Sequence, residues 1–166
     1  MKRILIIGNT GAGKTTFAKA LSEKTGLPLV HLDKIFWHGE WEHLSREEFD
    51  AALGTELEKH EWIIDGNYDR TLERRLSFAD TVFYLDFPTV TCLWGITKRI
   101  IKNYGKTRED MGGNCPDSFG KARELYVSTL AFNRRNRKRY YEMLKNCENA
   151  IIFRSRSDIK RYLSKL

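Results

Sequence analysis

Eight consecutive residues, Gly8-Asn9-Thr10-Gly11-Ala12-Gly13-Lys14-Thr15, carry the plainest chemistry in this sequence. They fit G-x-x-x-x-G-K-[ST], the phosphate-binding P-loop. Gly8, Gly11 and Gly13 let the chain turn through conformations that a Cβ would block. Successive backbone N–H groups then face inward onto phosphate oxygens. Lys14 brings a cation to the β- and γ-phosphates, and the Thr15 hydroxyl is placed to ligate Mg²⁺. Asn9, Thr10, Ala12 and Thr16 complete the stretch expected to touch the nucleotide. The reading is a site for a nucleoside triphosphate.

Such a loop works only between a strand and a helix. Lys2 to Ile7 reads as a buried strand, and Thr16 to Lys24 as a helix with Phe17 and Leu21 on one face. Further strands are expected at Pro28–Leu32, Trp62–Ile64, Thr81–Leu85 and Ala150–Phe153. Helices are expected from a capping box at Ser45–Glu48, from Pro88 to about Asn103, from Lys121 to Asn146 and from Asp158 to Leu166. The alternation predicts an α/β fold, a parallel sheet covered by helices on both faces. Tyr104 to Gly120 is the exception. Five of its seventeen residues are Gly or Pro, and it reads as a mobile lid.

With 166 residues and 41% hydrophobic content, residues 1–166 are expected to form one domain. The apolar run after Lys2-Arg3 is too short for a signal-peptide core, and no stretch approaches a membrane span. Cys92, Cys115 and Cys147 lack C-x-x-C spacing and the four histidines lack i, i+4 pairing, so a cytoplasmic setting is expected. The net charge of +7 is concentrated: residues 96–145 hold 13 Lys and Arg against 5 Asp and Glu, and the remainder 16 against 17. A solvated face, a nucleic-acid patch and a device for holding phosphates all fit that block.

With Asp65-Gly66 after the third strand and a basic lid after the fourth, the chain resembles the small P-loop kinases, among them adenylate, shikimate and gluconate kinases. A narrower resemblance, to the proteins named DNA topology modulation proteins, runs through His31-Leu32-Asp33, Phe36-Trp37, Trp62 to Tyr68, Thr71-Leu72-Glu73, Ala79-Asp80-Thr81, Cys92-Leu93-Trp94 and Arg108 to Met111. The resemblance implies a three-layer αβα fold, strand order 2-3-1-4-5, and ATP with Mg²⁺ as the bound groups. It implies that Asp65 holds the Mg²⁺, with Asp86 as the competitor. Asp33 falls where shikimate-like kinases contact the reacting hydroxyl, although a turn cap or a pair with Lys34 would also suit it. Trp37 and Trp41, with Phe36 and His38, fall in the acceptor region and suit either stacking or packing.

Arg99 matches the arginine at which the lid begins, and Arg108 and Lys106 lie within the lid. Arg123, Arg134 and Arg135 are candidates beyond it, and Arg154 falls in a loop like the one that wraps adenine. Arg70 is one position late, and Gly95 stands where adenylate kinases have another arginine. The expected activity is Mg-dependent transfer of the γ-phosphate of ATP to a small nucleotide or hydroxyl acceptor. The alternative is an ATP-binding regulator acting on DNA through the basic Arg134–Arg139 run; no DNA-reading module is apparent.

Overall fold

Strand β1 (Arg3–Gly8) is buried from Ile4 onward and lies at the centre of a five-stranded sheet. Around it run β2 (Leu29–His31), β5 (Trp62–Asp65), β6 (Thr81–Leu85) and β7 (Ala150–Phe153) in the order β2-β5-β1-β6-β7. Every pairing in this sheet is parallel. The computed structural model describes residues 1–166, apart from the side chain of Lys121. A separate two-stranded antiparallel ribbon, β3 (Trp37–His38) and β4 (Glu42–His43), interrupts the numbering. Without it, the order is the expected 2-3-1-4-5.

Alternate strand residues feed two apolar layers, as the period of two requires. Ile4, Ile6, Ile63, Phe83 and Leu85 meet Phe17, Ala18 and Leu21 of α1 (Lys14–Thr25), with Ile159 and Tyr162 of α7 (Arg156–Leu163) packed alongside. Leu5, Ile7, Ile64, Val82 and Tyr84 face the other way. They meet Phe49, Leu53 and Leu57 of α3 (Arg46–Leu57), Leu72 of α4 (Leu72–Phe78), and Tyr140 and Leu144 of α6 (Phe119–Leu144). The predicted capping box is present, with Ser45 and Glu48 exchanging backbone and side-chain hydrogen bonds.

Register decides where the chemistry collects. Ile6 lies opposite Asp65, which lies opposite His31, and Gly8 lies opposite Leu85. The carboxyl ends of β1, β5 and β2 therefore emerge together, the usual ligand edge of an open parallel sheet. Strand β2 ends one residue earlier than expected. Leu32 already begins α2 (Leu32–Phe36), which puts Asp33 in a first helical turn. Helix α5 (Thr89–Asn103) leads into the lid, whose residues form isolated bridges, Tyr104 with Asp117 and Thr107 with Pro116.

Candidate active site

Gly13 caps α1 with a left-handed φ of 95°, without a side-chain cap and with no acid in the first turn. The first-turn N–H groups are left for an anion, which the positive helix end favours. Lys14 Nζ donates to the carbonyls of Gly8 and Asn9 at 2.9 and 3.2 Å. Burial lowers the Lys14 pKa, against the pull of Asp65 and Asp33. Elsewhere the loop is fastened from outside. Asn67 accepts from the Gly8 N–H, and the Asn9 amide donates to the Thr129 carbonyl of α6.

Thr15 Oγ1 lies 2.7 Å from Asp65 Oδ2 and 3.1 Å from Asp110 Oδ2. Its one proton serves one carboxylate at a time. His31 Nδ1 is 3.3 Å from the same Asp65 oxygen. The other oxygen, Asp65 Oδ1, is buried with no hydrogen-bond partner. An orphaned carboxylate oxygen beside a P-loop hydroxyl fits a hydrated Mg²⁺, which takes few protein ligands and completes its shell with waters and phosphate oxygens. Among the described residues no cluster of three or more His, Cys, Asp or Glu forms a dedicated metal cage. The competing acid, Asp86, accepts from Arg137 at 2.8 Å and Tyr141 at 2.7 Å, so its charge is committed elsewhere. No local motif marks Asp110 as a partner of Thr15. It sits 95 positions from Thr15 and only the fold brings them together.

Asp33 lies where two cavities meet. One, of about 230 Å³, is lined by P-loop residues with Asp65 and Asp110; the other, also about 230 Å³, is lined by Trp37, Trp41, Met111 and Leu125. Thr10, Asp33, Arg99 and Arg108 line both. Asp33 pairs with Tyr68 rather than Lys34: the Tyr68 hydroxyl donates to Asp33 Oδ1 at 2.7 Å. Burial raises the Asp33 pKa, opposed by that hydrogen bond and by the charges of Arg108 and Lys14. Tyr68 itself holds a positive φ of 31°. Fully buried Arg75 secures this turn by donating to the carbonyls of Gly66, Asn67 and Tyr68.

The lid residues are folded over the site. Arg108 pairs with Asp110 at 2.6 Å and Arg99 with Asp117 at 3.3 Å, while Arg99 Nε is buried without a partner. Lys19 of α1 holds Glu109 at 2.7 Å, and the Asn114 N–H donates to the Gly39 carbonyl of the ribbon turn at 2.7 Å. Other expected residues lie outside. Thr16 is exposed and lines a groove between α1 and the lid. Arg154 is exposed, with its N–H donating to Asp158, and it lines neither cavity. Arg123, Arg134 and Arg135 are exposed, and Arg70 is paired with Asp50 at the surface.

A shikimate kinase from Bacteroides thetaiotaomicron superposes with a TM-score of 0.57 at 17% identity, covering 99% of this chain and 95% of that one. The chain shares the fold of this shikimate kinase. The family model described as isopentenyl transferase matches residues 1–59. Two adenylate kinases from Thermotoga neapolitana are 32% identical over 80 residues, which is 48% of this chain and 36% of theirs. The alignment thus spans little more than a third of the curated relatives. The narrower DNA-topology name rests on the sequence segments alone.

Proposed function

We propose that this P-loop kinase relative transfers the γ-phosphate of Mg-ATP to a small acceptor. The observation that carries the reading is the junction of two cavities at Asp33, Arg99 and Arg108. A donor cavity floored by a phosphate loop and a second cavity beyond it supply places for two substrates. The groups between them suit the transfer itself. Negative charge spreads over the moving phosphoryl oxygens, and catalysis is mostly positioning and electrostatic stabilisation. Lys14, Arg99 and Arg108 supply the cations, and Asp33 receives the acceptor's proton. Thr15 and Asp65 would hold Mg²⁺, which when bound neutralises charge on the β- and γ-phosphates. The lid excludes water.

The reading is tested by ADP release from Mg-ATP across nucleosides, nucleoside monophosphates, small polyols and acids, and plasmid DNA. Stimulation by one small acceptor, lost in Lys14→Ala, is expected. Stimulation by DNA alone would favour the regulatory alternative. That alternative draws on the basic run of α6, but Arg137 and Arg139 of that run are paired with Asp86 and Asp69. Contact by the remaining cations would be non-specific and strongly salt-dependent.

A further inference from the structure

The second cavity has a definite chemical character. Trp37, Trp41, Met111 and Leu125 give it apolar walls, Glu124 also lines it, and Asp33 stands at its junction with the phosphate cavity. Among its described lining residues the cations are Arg99 and Arg108. Both also line the phosphate cavity, where the transferred group needs them. Arg70 is turned away onto Asp50, Arg74 donates to the Asp50 carbonyl, and Arg75 is committed to the carbonyls of residues 66–68. Gly95 brings no charge at all.

A phosphate carried by the acceptor would therefore lie beside the Asp33 carboxylate, with no described cation beyond the pair already serving the donor. Like charges at that separation disfavour each other. A hydroxyl meets the opposite situation. It donates to Asp33, whose second contact, Tyr68, already fixes the carboxylate's orientation. Trp37 and Trp41 stand edge to face with centroids 5.3 Å apart, leaving aromatic surface along the cavity. Trp41 is held there at a φ of 63°, a strained conformation of the kind found at ligand clamps. At about 230 Å³ the space is below the usual range of drug-sized sites, about 300–1,000 Å³.

We propose that the acceptor is a small, uncharged, ring-bearing alcohol, its hydroxyl on Asp33 and its ring against Trp37 and Trp41, and not a nucleoside monophosphate. The inference rests on the phosphotransferase reading above. In the step, the acceptor oxygen forms the new bond to the γ-phosphorus and the bond from that phosphorus to the β-bridging oxygen breaks. The hydroxyl proton passes to Asp33, and ADP leaves.

The test incubates the full chain with Mg-ATP and matched pairs of neutral compound and monophosphate: nucleosides, cyclic polyols and aromatic alcohols, each beside its phosphorylated form. Phosphorylated product is read by mass spectrometry. Product from a neutral ring-bearing alcohol, with the monophosphates inert, is expected. Trp41→Leu then raises the acceptor KM about three- to tenfold, as loss of one aromatic contact implies. Trp41→Tyr restores it, and the KM for Mg-ATP stays unchanged in both. Product from the monophosphates with the neutral partners inert overturns the inference and leaves the phosphotransferase reading standing. An acceptor KM unmoved by Trp41→Leu overturns the ring contact. Mg-ATP binding without product from any compound removes the phosphotransferase reading and this inference with it.

Discussion

Gly95 of α5 lies directly against Gly11 of the P-loop. A methyl group built on Gly95 would overlap the Gly11 carbonyl oxygen, and one on Gly11 would overlap the Cys92 carbonyl. The position where adenylate kinases carry an arginine is therefore a packing contact in this chain, and α5 is the wall on which the P-loop rests. Two backbones can approach this closely only without a Cβ between them.

Gly95→Ala should therefore act as overpacking, destabilising the protein by about 1–3 kcal/mol and weakening Mg-ATP binding together. Urea denaturation and nucleotide titration would measure the two effects. Ile101→Ala, on the exposed side of the same helix, is the control and should stay within about 0.5 kcal/mol. Equal effects from the two variants would refute the contact's importance.

Lys14 predicts a conflict between stability and binding. Its folded pKa is lowered by burial, so its charged form is a burden on the nucleotide-free fold. That burden is fully present below the folded pKa and disappears as pH rises through the ordinary value of 10.5. At pH 7, Lys14→Met should melt no lower than the parent without nucleotide, yet lose the stabilisation that Mg-ATP gives. A large drop in the nucleotide-free melting temperature would contradict this account.

Arg75 is a charged residue performing a core task. Its guanidinium satisfies three carbonyls of the turn carrying Tyr68, and burial pulls its pKa down to about 10. Replacing it with Leu leaves those carbonyls unpaired, and the expected loss is about 3–5 kcal/mol by denaturant titration. Arg75→Lys, with one compact ammonium in place of the planar fork, should recover only part of it. Full recovery would mean that charge, not geometry, holds the turn.

The parts legible from sequence are those with local patterns. The P-loop has fixed spacing, the five sheet strands are apolar runs, and the Ser45–Glu48 box marks its helix by chemistry alone. The β3–β4 ribbon has two residues in each strand, too few for any periodicity to register. Nothing in the sequence marks Arg75 as buried, because an arginine in a short helix is ordinarily solvent-exposed. Asp110 falls in the Arg108–Met111 stretch of the resemblance, but nothing local gives it a role, since its partner Thr15 lies across the fold. The choice between Asp65 and Asp86 turned on neighbours that no local pattern displays: Arg137 and Tyr141 lie more than fifty positions from Asp86.

The role of Asp33 has a signature in pH. The groups facing it are Tyr68, Arg108, Asp65, Lys14 and Arg99; burial, aided by the negative charge of Asp65, outweighs the others and raises its pKa above the ordinary 3.8. A base acts when ionised, so the rate with the true acceptor should fall on acidification through a limb lying above the usual aspartate range. The Tyr68 hydrogen bond favours the ionised form. Tyr68→Phe removes it and should move that limb to still higher pH, while Asp33→Asn lowers kcat by about 10²–10⁴-fold and erases the limb. Mg-ATP binding should survive in both variants. The measurement is kcat/KM against pH for the three proteins. A limb unmoved by Tyr68→Phe and still present in Asp33→Asn would assign the proton to another group and return Asp33 to a purely structural place at the start of α2.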